Sequence, residues 1–444
     1  MTAFDQFDPF EQRISATLDE IALARRPDYL DDLLRQTART PQRPRWSFPG
    51  RWLPMDTTLS PARAGRSTLR PLVLIAIVAL LALAATAVFI AGSRPKVPLP
   101  VGPAVNGSIV YPSGGDLYIR DSAAEGAATR PLITGPAEQG VPYLSPDGTT
   151  LVYLETVNGG DYLWAAGIDG TNPRQLLPKP LGGTWSQWSW ALDSRHLLLS
   201  GEFGDSTKRL YDVQADGSGA REIVIDGLLP WDAFWSPVDP KTFLLRAQSK
   251  TGVAAQDLYL ADADGGNLRP LGLSGHSAFG AQYTLSGASW APDGKTIAYN
   301  AITTDPDSLI THYRVHVVNA DGTNDRELPA PADARVNEAW PVYSPDGSQL
   351  LVQHFIFPTD DDTKDGSGSI AVTRADGSTA GREFGVRNDN TTNPDVWKAW
   401  SPDGRSVVQM VGETMKAYLV DPITGTMTEL PWAGDMPDWQ RRAP

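Results

Sequence analysis

A short turn sequence recurs along the C-terminal three quarters of the chain and restricts the fold more than any other feature. In each complete copy a bulky residue precedes Ser-Pro-Asp-Gly or Ala-Pro-Asp-Gly, and alternating apolar residues follow. The four copies lie at 144–148, 290–294, 343–347 and 400–404. Proline presets φ, aspartate bonds its own local backbone, and glycine takes the last position of a tight turn. Each copy therefore predicts a turn between two β-strands.

A second unit alternates with the first and consists of an Asp-Gly turn followed by an arginine and an apolar residue. Asp-Gly lies at 169–170, 216–217, 264–265, 321–322 and 376–377, and the arginines that follow are Arg174, Arg221, Arg269, Arg326 and Arg382. Asp-Gly between two strands favours a hairpin. Two hairpins in each repeat predict a four-stranded antiparallel sheet.

The spacing of the repeats indicates how the sheets are arranged. Including degenerate copies at Trp190 and Trp235 and the isolated Trp439, the leading bulky residues recur at intervals of 39 to 57 residues. Four-stranded units of this period are typical of a β-propeller, in which bulky side chains fill the wedge between blades. Pairing the strand near Ile109 with the one at Trp439 closes the ring. The sequence predicts an all-β, seven-bladed propeller over 106–440, with six blades as the alternative.

The Trp-Ser-Pro-Asp-Gly turns, with Ala-Asp-Gly hairpins after them, resemble the TolB-like (WD-repeat-like) propeller repeats. The resemblance covers most of 106–440. The family includes periplasmic scaffolds of the cell envelope and the gating propellers of prolyl-oligopeptidase-type peptidases. This chain departs from both, because TolB carries an α/β domain and no membrane span, and the peptidases carry a hydrolase domain. The resemblance implies the fold and leaves the function open.

A membrane anchor is predicted at 71–92. The run from Leu72 to Ala91 is apolar except for Thr86, and twenty helical residues span about 30 Å, the thickness of bilayer hydrocarbon. A buried core helix is the alternative interpretation. Four arginines precede the run within twenty residues, whereas only Arg94 and Lys96 follow it, which favours a cytoplasmic N-terminus. We therefore expect a single-pass cell-membrane protein with an extracytoplasmic propeller.

The residues before this run predict a small cytoplasmic part. Residues 1–39 are acidic and predict two short amphipathic helices, and residues 40–70 form a basic neck rich in Pro, Arg and Trp. The neck suits either an anionic membrane surface or a solvated linker. Residues 93–105 form a Pro-rich spacer. The layout resembles membrane-bound anti-sigma factors, whose cytoplasmic domain holds a transcription factor, although the zinc motif of one large group cannot exist here.

Composition excludes several functions. The chain has 52 acidic and 38 basic residues, a net charge of −14, which argues against general nucleic-acid binding because such binding needs a cationic surface. The chain has no cysteine, so disulfides, thiol catalysis, iron–sulfur ligation and Cys-based zinc sites are excluded.

The sequence predicts no catalytic, cofactor or metal site. It contains no Gly-x-Ser-x-Gly elbow, since the closest run at 275–280 is one residue too long, and no phosphate-binding loop. The acidic run 360–366 departs from the calcium-loop register and is interpreted as a solvated loop. The five histidines are expected to be satisfied or exposed, and His312 and His316 to lie too far apart to chelate easily. They are His196, His276, His312, His316 and His354.

These patterns predict a binding or scaffold module of the bacterial cell envelope, not an enzyme. Its expected partners are a protein or envelope ligand on the propeller rim, the bilayer, and a possible cytoplasmic regulator at the head, with no nucleic acid. The insertion from Asp360 to Ser369 is the predicted contact loop. Two alternatives remain open: an anti-sigma-like signalling regulator, and a hydrolase working at the propeller channel.

Overall fold

The computed structural model describes residues 99–443 except 204–206, 251–255, 274–276, 279–286, 305–310, 334, 357–366, 389–395 and 413, together with Ile77 and Ala79. The chain divides into two units, Met1–Gly92 and Ser93–Pro444. Every described strand belongs to the second unit.

The described strands form seven antiparallel sheets, which are the blades of a β-propeller. Blade 1 contains β29 (Asp438–Arg442), β1 (Val105–Ser113), β2 (Asp116–Arg120) and β3 (Thr129–Ile133). Blade 2 contains β4 (Glu138–Leu144), β5 (Thr150–Val157), β6 (Gly160–Gly167) and β7 (Arg174–Gln175). Blade 3 contains β8 (Gly182–Trp190), β9 (His196–Glu202), β10 (Lys208–Gln214) and β11 (Ala220–Glu222).

The remaining blades follow in chain order. Blade 4 contains β12 (Leu228–Trp235), β13 (Thr242–Ser249), β14 (Gln256–Asp262) and β15 (Arg269–Pro270). Blade 5 contains β16 (Ser277–Ala278), β17 (Ala288–Trp290), β18 (Thr296–Thr304), β19 (Thr311–Asn319) and β20 (Arg326–Glu327). Blade 6 contains β21 (Asn337–Tyr343), β22 (Gln349–Ile356), β23 (Ser367–Arg374) and β24 (Arg382–Asn388). Blade 7 contains β25 (Val396–Trp400), β26 (Val407–Val411), β27 (Lys416–Val420) and β28 (Met427–Glu429).

The two ends of the propeller meet in blade 1, as the sequence predicts. Ile109 of β1 pairs with Trp439 of β29, and the sheet continues through β2 and β3. Closure by both termini leaves no unpaired first blade. The seven-bladed prediction is confirmed, and the six-bladed alternative is wrong.

The two repeated turns lie at the same end of each blade. The Ser-Pro-Asp-Gly turn joins the first strand to the second, and the Asp-Gly turn joins the third to the fourth. The two turns bond to each other: the N–H of Ala263 donates to the Lys241 carbonyl, and that of Ala320 donates to the Lys295 carbonyl, both at 2.8 Å. We call this end of the propeller the turn face and the opposite end the loop face.

The leading bulky residues pack between blades, which confirms their expected role. Trp190 shares one cluster with Val152 of blade 2 and Leu197 of blade 3. Trp400 packs against the cluster that contains Leu351 of blade 6. Burial of a large aromatic surface at a blade boundary contributes several kcal/mol, roughly the cost of truncating such a side chain to alanine.

The arginines of the second repeat unit clamp neighbouring blades together. Four of the five guanidinium groups donate to a backbone carbonyl in the turn between the third and fourth strands of the next blade. The pairs are Arg174 Nε with Ala215 O (2.8 Å), Arg221 Nη2 with Ala263 O (2.9 Å), Arg326 Nη2 with Ala375 O (2.9 Å) and Arg382 Nη2 with Ile423 O (3.0 Å). The repeat therefore encodes contacts between blades as well as the hairpin itself.

The predicted N-terminal elements fall outside the described residues. They are the head at 1–39, the neck at 40–70 and, apart from Ile77 and Ala79, the run from Leu72 to Ala91. Among the residues that the structure describes, none forms a helix that is both long and apolar enough to cross a bilayer. The head, the neck and the anchor stay predictions.

Candidate functional site

The first strands of the blades surround a central channel. A cavity of about 840 Å³ is lined mostly by residues from β4, β8, β12, β17, β21, β25 and β29, one strand from each blade, with Leu154 of β5 and Asp161 of β6 beside them. Its lining is rich in aromatic side chains. They are Tyr143, Trp188, Phe234, Trp235, Trp290, Tyr343 and Trp400. A concave surface with contributions from every blade is the natural place for a propeller to bind a ligand.

Side-chain oxygens tie neighbouring first strands together. In three blades the residue just before the leading position reaches the next blade, where its side-chain oxygen accepts the backbone N–H of the next leading residue. Ser189 Oγ accepts from Trp235 N at 3.3 Å, and Ser289 Oγ accepts from Tyr343 N at 3.5 Å. Asp438 supplies the same contact between blades 1 and 2. The first strand of a blade has no strand beyond it on the channel side to accept its backbone N–H groups. These side-chain oxygens accept them instead.

At two boundaries where this preceding residue is apolar, an indole of the next blade makes the contact instead. Trp290 Nε1 donates to the Phe234 carbonyl at 3.3 Å, and Trp400 Nε1 donates to the Val342 carbonyl at 3.2 Å. Both kinds of bond join neighbouring first strands near the leading residues, each at different blade boundaries. The channel wall is therefore fixed before any ligand arrives, which lowers the entropic cost of binding.

Bulges interrupt several first strands at the channel wall. The pairing of β4 with β5 shifts between Gly140 and Tyr143, and that of β21 with β22 shifts between Ala339 and Val342. Within these bulges Val141 and Trp340 both have φ of +51°. Left-handed backbone is unfavourable for β-branched and aromatic residues, and such strain gathers at functional sites. Val141 lines the channel and is 43% exposed.

Two cations and one carboxylate also line the channel. Lys398 comes from β25, Arg441 from β29 and Asp161 from β6. Lys398 is buried at 3% exposure. Burial lowers the pKa of Arg441, and the charge of Asp438 opposes that change. Aromatic walls with two cations beside them suit a ligand that presents apolar or ring faces together with anionic groups.

A buried ion pair lies in blade 4. Arg246 Nε donates to Asp232 Oδ2 at 2.6 Å, and Arg246 Nη1 bonds Gln256. The side chains of Arg246 and Asp232 are 4% and 5% exposed. Lys208 Nζ lies 3.8 Å from the centre of the Trp231 ring, at the boundary with blade 3. Because both charges are paired and hydrogen-bonded, this cluster fixes β12 on β13, and losing one partner would leave a buried charge.

A histidine between two carboxylates lies in blade 6. His354 Nε2 is 2.9 Å from Glu338 Oε1, and His354 Nδ1 is 3.0 Å from Glu383 Oε1. Burial by itself would lower the pKa of His354, but the hydrogen bonds with the two carboxylates outweigh it and raise the pKa. The bond to His354 lowers the pKa of Glu383. Both ring nitrogens are used, so this imidazole links β21 and β24 to β22.

The structure locates only some of the residues considered from sequence. His354 and His316 are buried and hydrogen-bonded, and His196 contacts Asp212, whereas His276 and the side chain of His312 lie outside the described residues. Within the described part of the chain, no group of three or more His, Asp or Glu side chains is arranged to hold a metal ion.

The predicted contact loop is corrected in part. Residues 360–366 lie outside the described residues, but Ser367 and Ser369 belong to β23 and are 6% and 8% exposed. Because they are buried inside a blade, these residues cannot form part of a contact surface. The channel residues were missed from sequence. The signal that could have found them is their fixed position one or two residues before each leading bulky residue.

Solved structures with this fold have diverse activities. Oligogalacturonate lyase from Vibrio parahaemolyticus is 13% identical, with a TM-score of 0.50 over 74% of this chain and 93% of that one. Tricorn protease is 11% identical, with a TM-score of 0.50 over 78% of this chain and 36% of that one. TolB from Acinetobacter baumannii is 16% identical, with a TM-score of 0.39 over 66% of each chain, just under two thirds of its length. No family model and no curated protein matches the sequence.

These matches establish the β-propeller fold and correct one prediction. In all, 712 chains of known structure match, so the fold does not select one function. The resemblance to TolB-like repeats is confirmed at the level of the propeller fold. The prediction that the chain is not an enzyme is contradicted, because the fold is shared with an oligogalacturonate lyase. The missing sequence motifs gave no ground for excluding catalysis, because catalytic function depends on the geometry of a site and not on one motif or fold.

Proposed function

We propose that the chain is a membrane-anchored binding or scaffold module of the cell envelope, whose propeller lies outside the cytoplasm and binds a protein or envelope ligand at its central channel. The observation that carries the proposal is the cavity of about 840 Å³, with aromatic walls and the cations Lys398 and Arg441. The apolar run from Leu72 to Ala91 and the arginines before it support the anchor and its orientation.

The channel is suited to binding because its wall is already ordered. Bonds such as those of Ser189 to Trp235 and Trp400 to Val342 hold neighbouring first strands together. A ligand therefore gains contacts without having to order the site. The cations in the lining favour an anionic group, and the rings favour a sugar, an aromatic group or an apolar side chain beside it.

The test uses the full chain in detergent and an envelope extract as the probe. A component retained by the unaltered chain is purified, and its affinity is measured by titration calorimetry. Lys398→Glu reverses a channel charge, and Ala399→Phe narrows the channel without burying a charge. Lys295→Glu, on an exposed turn-face side chain, is the matched control.

The proposal expects both channel variants to bind at least about tenfold more weakly, which is about 1.4 kcal/mol, and the control to bind like the unaltered chain. Equal affinity in all four proteins would show that the ligand does not bind in the channel. Recovery of the retained component in chemically altered form would identify the channel as catalytic.

A second candidate function is transmembrane signalling, favoured by the acidic head, basic neck and single apolar run in that order. In this account ligand binding at the propeller changes the hold of the head on a cytoplasmic transcription regulator. A sigma-like protein that co-purifies with the full chain, and is lost when residues 1–39 are deleted, would support it. Co-purification that is unchanged by the deletion would oppose it.

A further inference from the structure

The segment that leads into the propeller is held at the turn-face end of the channel. Arg441 Nη2 donates to the carbonyl of Gly102 at 2.6 Å and to that of Leu99 at 3.1 Å. The N–H of Ala104 donates to the Pro402 carbonyl at 2.8 Å. These bonds fix the segment to blade 1 and to the turn of blade 7 before β1 begins.

The segment lies over a cavity formed by the turns of several blades. Pro100 and Val101 line a space of about 300 Å³. The other side of this space is made by turn-face residues of blades 1, 2, 3, 4, 6 and 7. They include Asp438, Leu144, Leu192, Ser236, Pro345 and Ser401. The segment therefore crosses the mouth of the ring and does not run along its outer edge.

This space adjoins the central channel. Tyr143, Trp235, Trp400 and Arg441 line both cavities. The small cavity is thus the turn-face end of the channel, with Pro100 and Val101 above it. Two prolines, Pro100 and Pro103, restrict the backbone of the segment, so little entropy is lost when it is held in place.

We propose that residues 99–104 form a strap that closes the turn-face mouth of the channel, with Arg441 as its clasp, so that ligands enter the channel from the loop face alone. Arg441 is suited to the role because its planar guanidinium can hold two carbonyl oxygens at once. The clasp also lies on β29, the strand that closes the ring. The inference rests on the strap contacts and does not depend on the identity of the ligand.

The test exploits the absence of cysteine from the chain. Val101→Cys introduces one thiol on the strap of the full-length protein, and its rate of reaction with a maleimide is measured. The rate is compared with and without Arg441→Ala. Arg335→Ala, which removes an exposed arginine paired with Asp333, is the control.

The strap predicts slow labelling in the Val101→Cys parent, at least about tenfold faster labelling with Arg441→Ala, and no change with Arg335→Ala. Labelling of the parent at the rate of the urea-unfolded chain would overturn the strap. Equal slow rates with and without Arg441→Ala would overturn the role of Arg441 as the clasp.

A second measurement uses the unaltered chain, so the strap can be tested even if the Arg441→Ala variant does not fold. Hydrogen exchange of the Ala104 N–H is followed in the unaltered chain, because this group donates to Pro402 in the turn of the neighbouring blade 7 and so holds the end of the strap. The strap predicts protection comparable to that of amides in β1. Exchange at the rate of a free peptide amide would contradict it.

Discussion

Asp438 Oδ2 accepts a hydrogen bond from the backbone N–H of Leu144 at 2.6 Å, although 294 residues separate the two in sequence. Asp438 lies on β29, the last strand, and Leu144 leads the first complete turn repeat. The bond joins blade 1 to blade 2 at the position where serine oxygens join other blades. It therefore completes the inner wall of the ring at the place where the chain's two ends meet.

Asp438 makes ring stability depend on pH. Burial raises its pKa from 3.8 to about 6, so the folded state holds this proton more tightly than the unfolded chain does. The stabilisation is fully present below pH 3.8 and is lost as pH rises through about 6, on the order of 3 kcal/mol. Asp438→Asn keeps an oxygen acceptor and removes the titration.

The check is the difference in unfolding free energy between Asp438→Asn and the unaltered propeller, measured in urea from pH 4 to pH 7.5. We expect the difference to move in favour of the variant as pH rises and to level off above pH 7. A difference that stays constant over this range would contradict the raised pKa.

Two turn glycines have the same backbone conformation but different neighbours, so alanine substitutions at the two positions distinguish the cost of backbone strain from the cost of a steric clash. Gly148 and Gly404 both have φ of +70°. A Cβ on Gly148 would lie 2.5 Å from the Arg441 carbonyl oxygen, whereas the nearest atom to a Cβ on Gly404 is 3.4 Å away, on Pro345. Alanine at either position costs about 1–2 kcal/mol for the left-handed conformation.

Gly148→Ala carries a further cost, because β29 must shift to remove the overlap, and we expect about 1–3 kcal/mol more destabilisation than for Gly404→Ala. Urea unfolding of the two variants side by side measures the difference. Equal destabilisation would show that β29 does not rest on this turn.

The arginine clamps stabilise the boundaries between blades. Arg326→Ala removes the bond to the Ala375 carbonyl and leaves that acceptor without its charged donor. We expect a loss of about 1.5–3 kcal/mol, the range for hydrogen bonds to charged groups. Lys295→Ala, an exposed lysine paired with Asp293, is the control, since exposed pairs contribute about 0–1 kcal/mol. An equal shift of the unfolding temperature in both variants would show that the bond of Arg326 to Ala375 does not stabilise the blade boundary.

His354 contributes stability at low pH that is lost as pH rises through its raised pKa. Its contacts with Glu338 and Glu383 raise its pKa above 6.5, so the contribution is fully present below pH 6.5 and declines as pH rises through the raised value. Relative to His354→Gln, the unaltered chain should therefore lose stability from pH 6.5 upward. With Glu383→Gln the decline should begin at the same pH but be smaller and end at lower pH, because one of the two contacts that raise the pKa of His354 is gone. Parallel stability curves for all three proteins would contradict the assignment.

The propeller could be predicted from sequence because its turns are local. Pro292, Asp293 and Gly294 specify a turn by their own conformational preferences, and Asp293 bonds the backbone two residues on. Strand order within a blade then follows from two hairpins. Ring closure was also predictable, since Trp439 repeats the leading aromatic without a turn after it.

The channel could not be predicted in the same way, because its contacts join residues far apart in sequence. The residues next to Ser189 in sequence do not indicate why a serine stands there. Its role is to accept the N–H of Trp235 in the next blade, 46 residues away. The bulge at Val141 is likewise set by pairing with β5 and not by a turn residue. Glu338 and His354 belong to different strands, and nothing in their spacing indicates that they meet.

The central claim is that the channel formed by the first strands is where the propeller binds its ligand. Hydrogen–deuterium exchange of the full chain, with and without the component retained from an envelope extract, tests it most directly. The account predicts new protection in β4, β12, β21 and β25, with the outer strands β7, β11 and β28 unchanged. Protection confined to the outer strands, with the first strands unaffected, would contradict it.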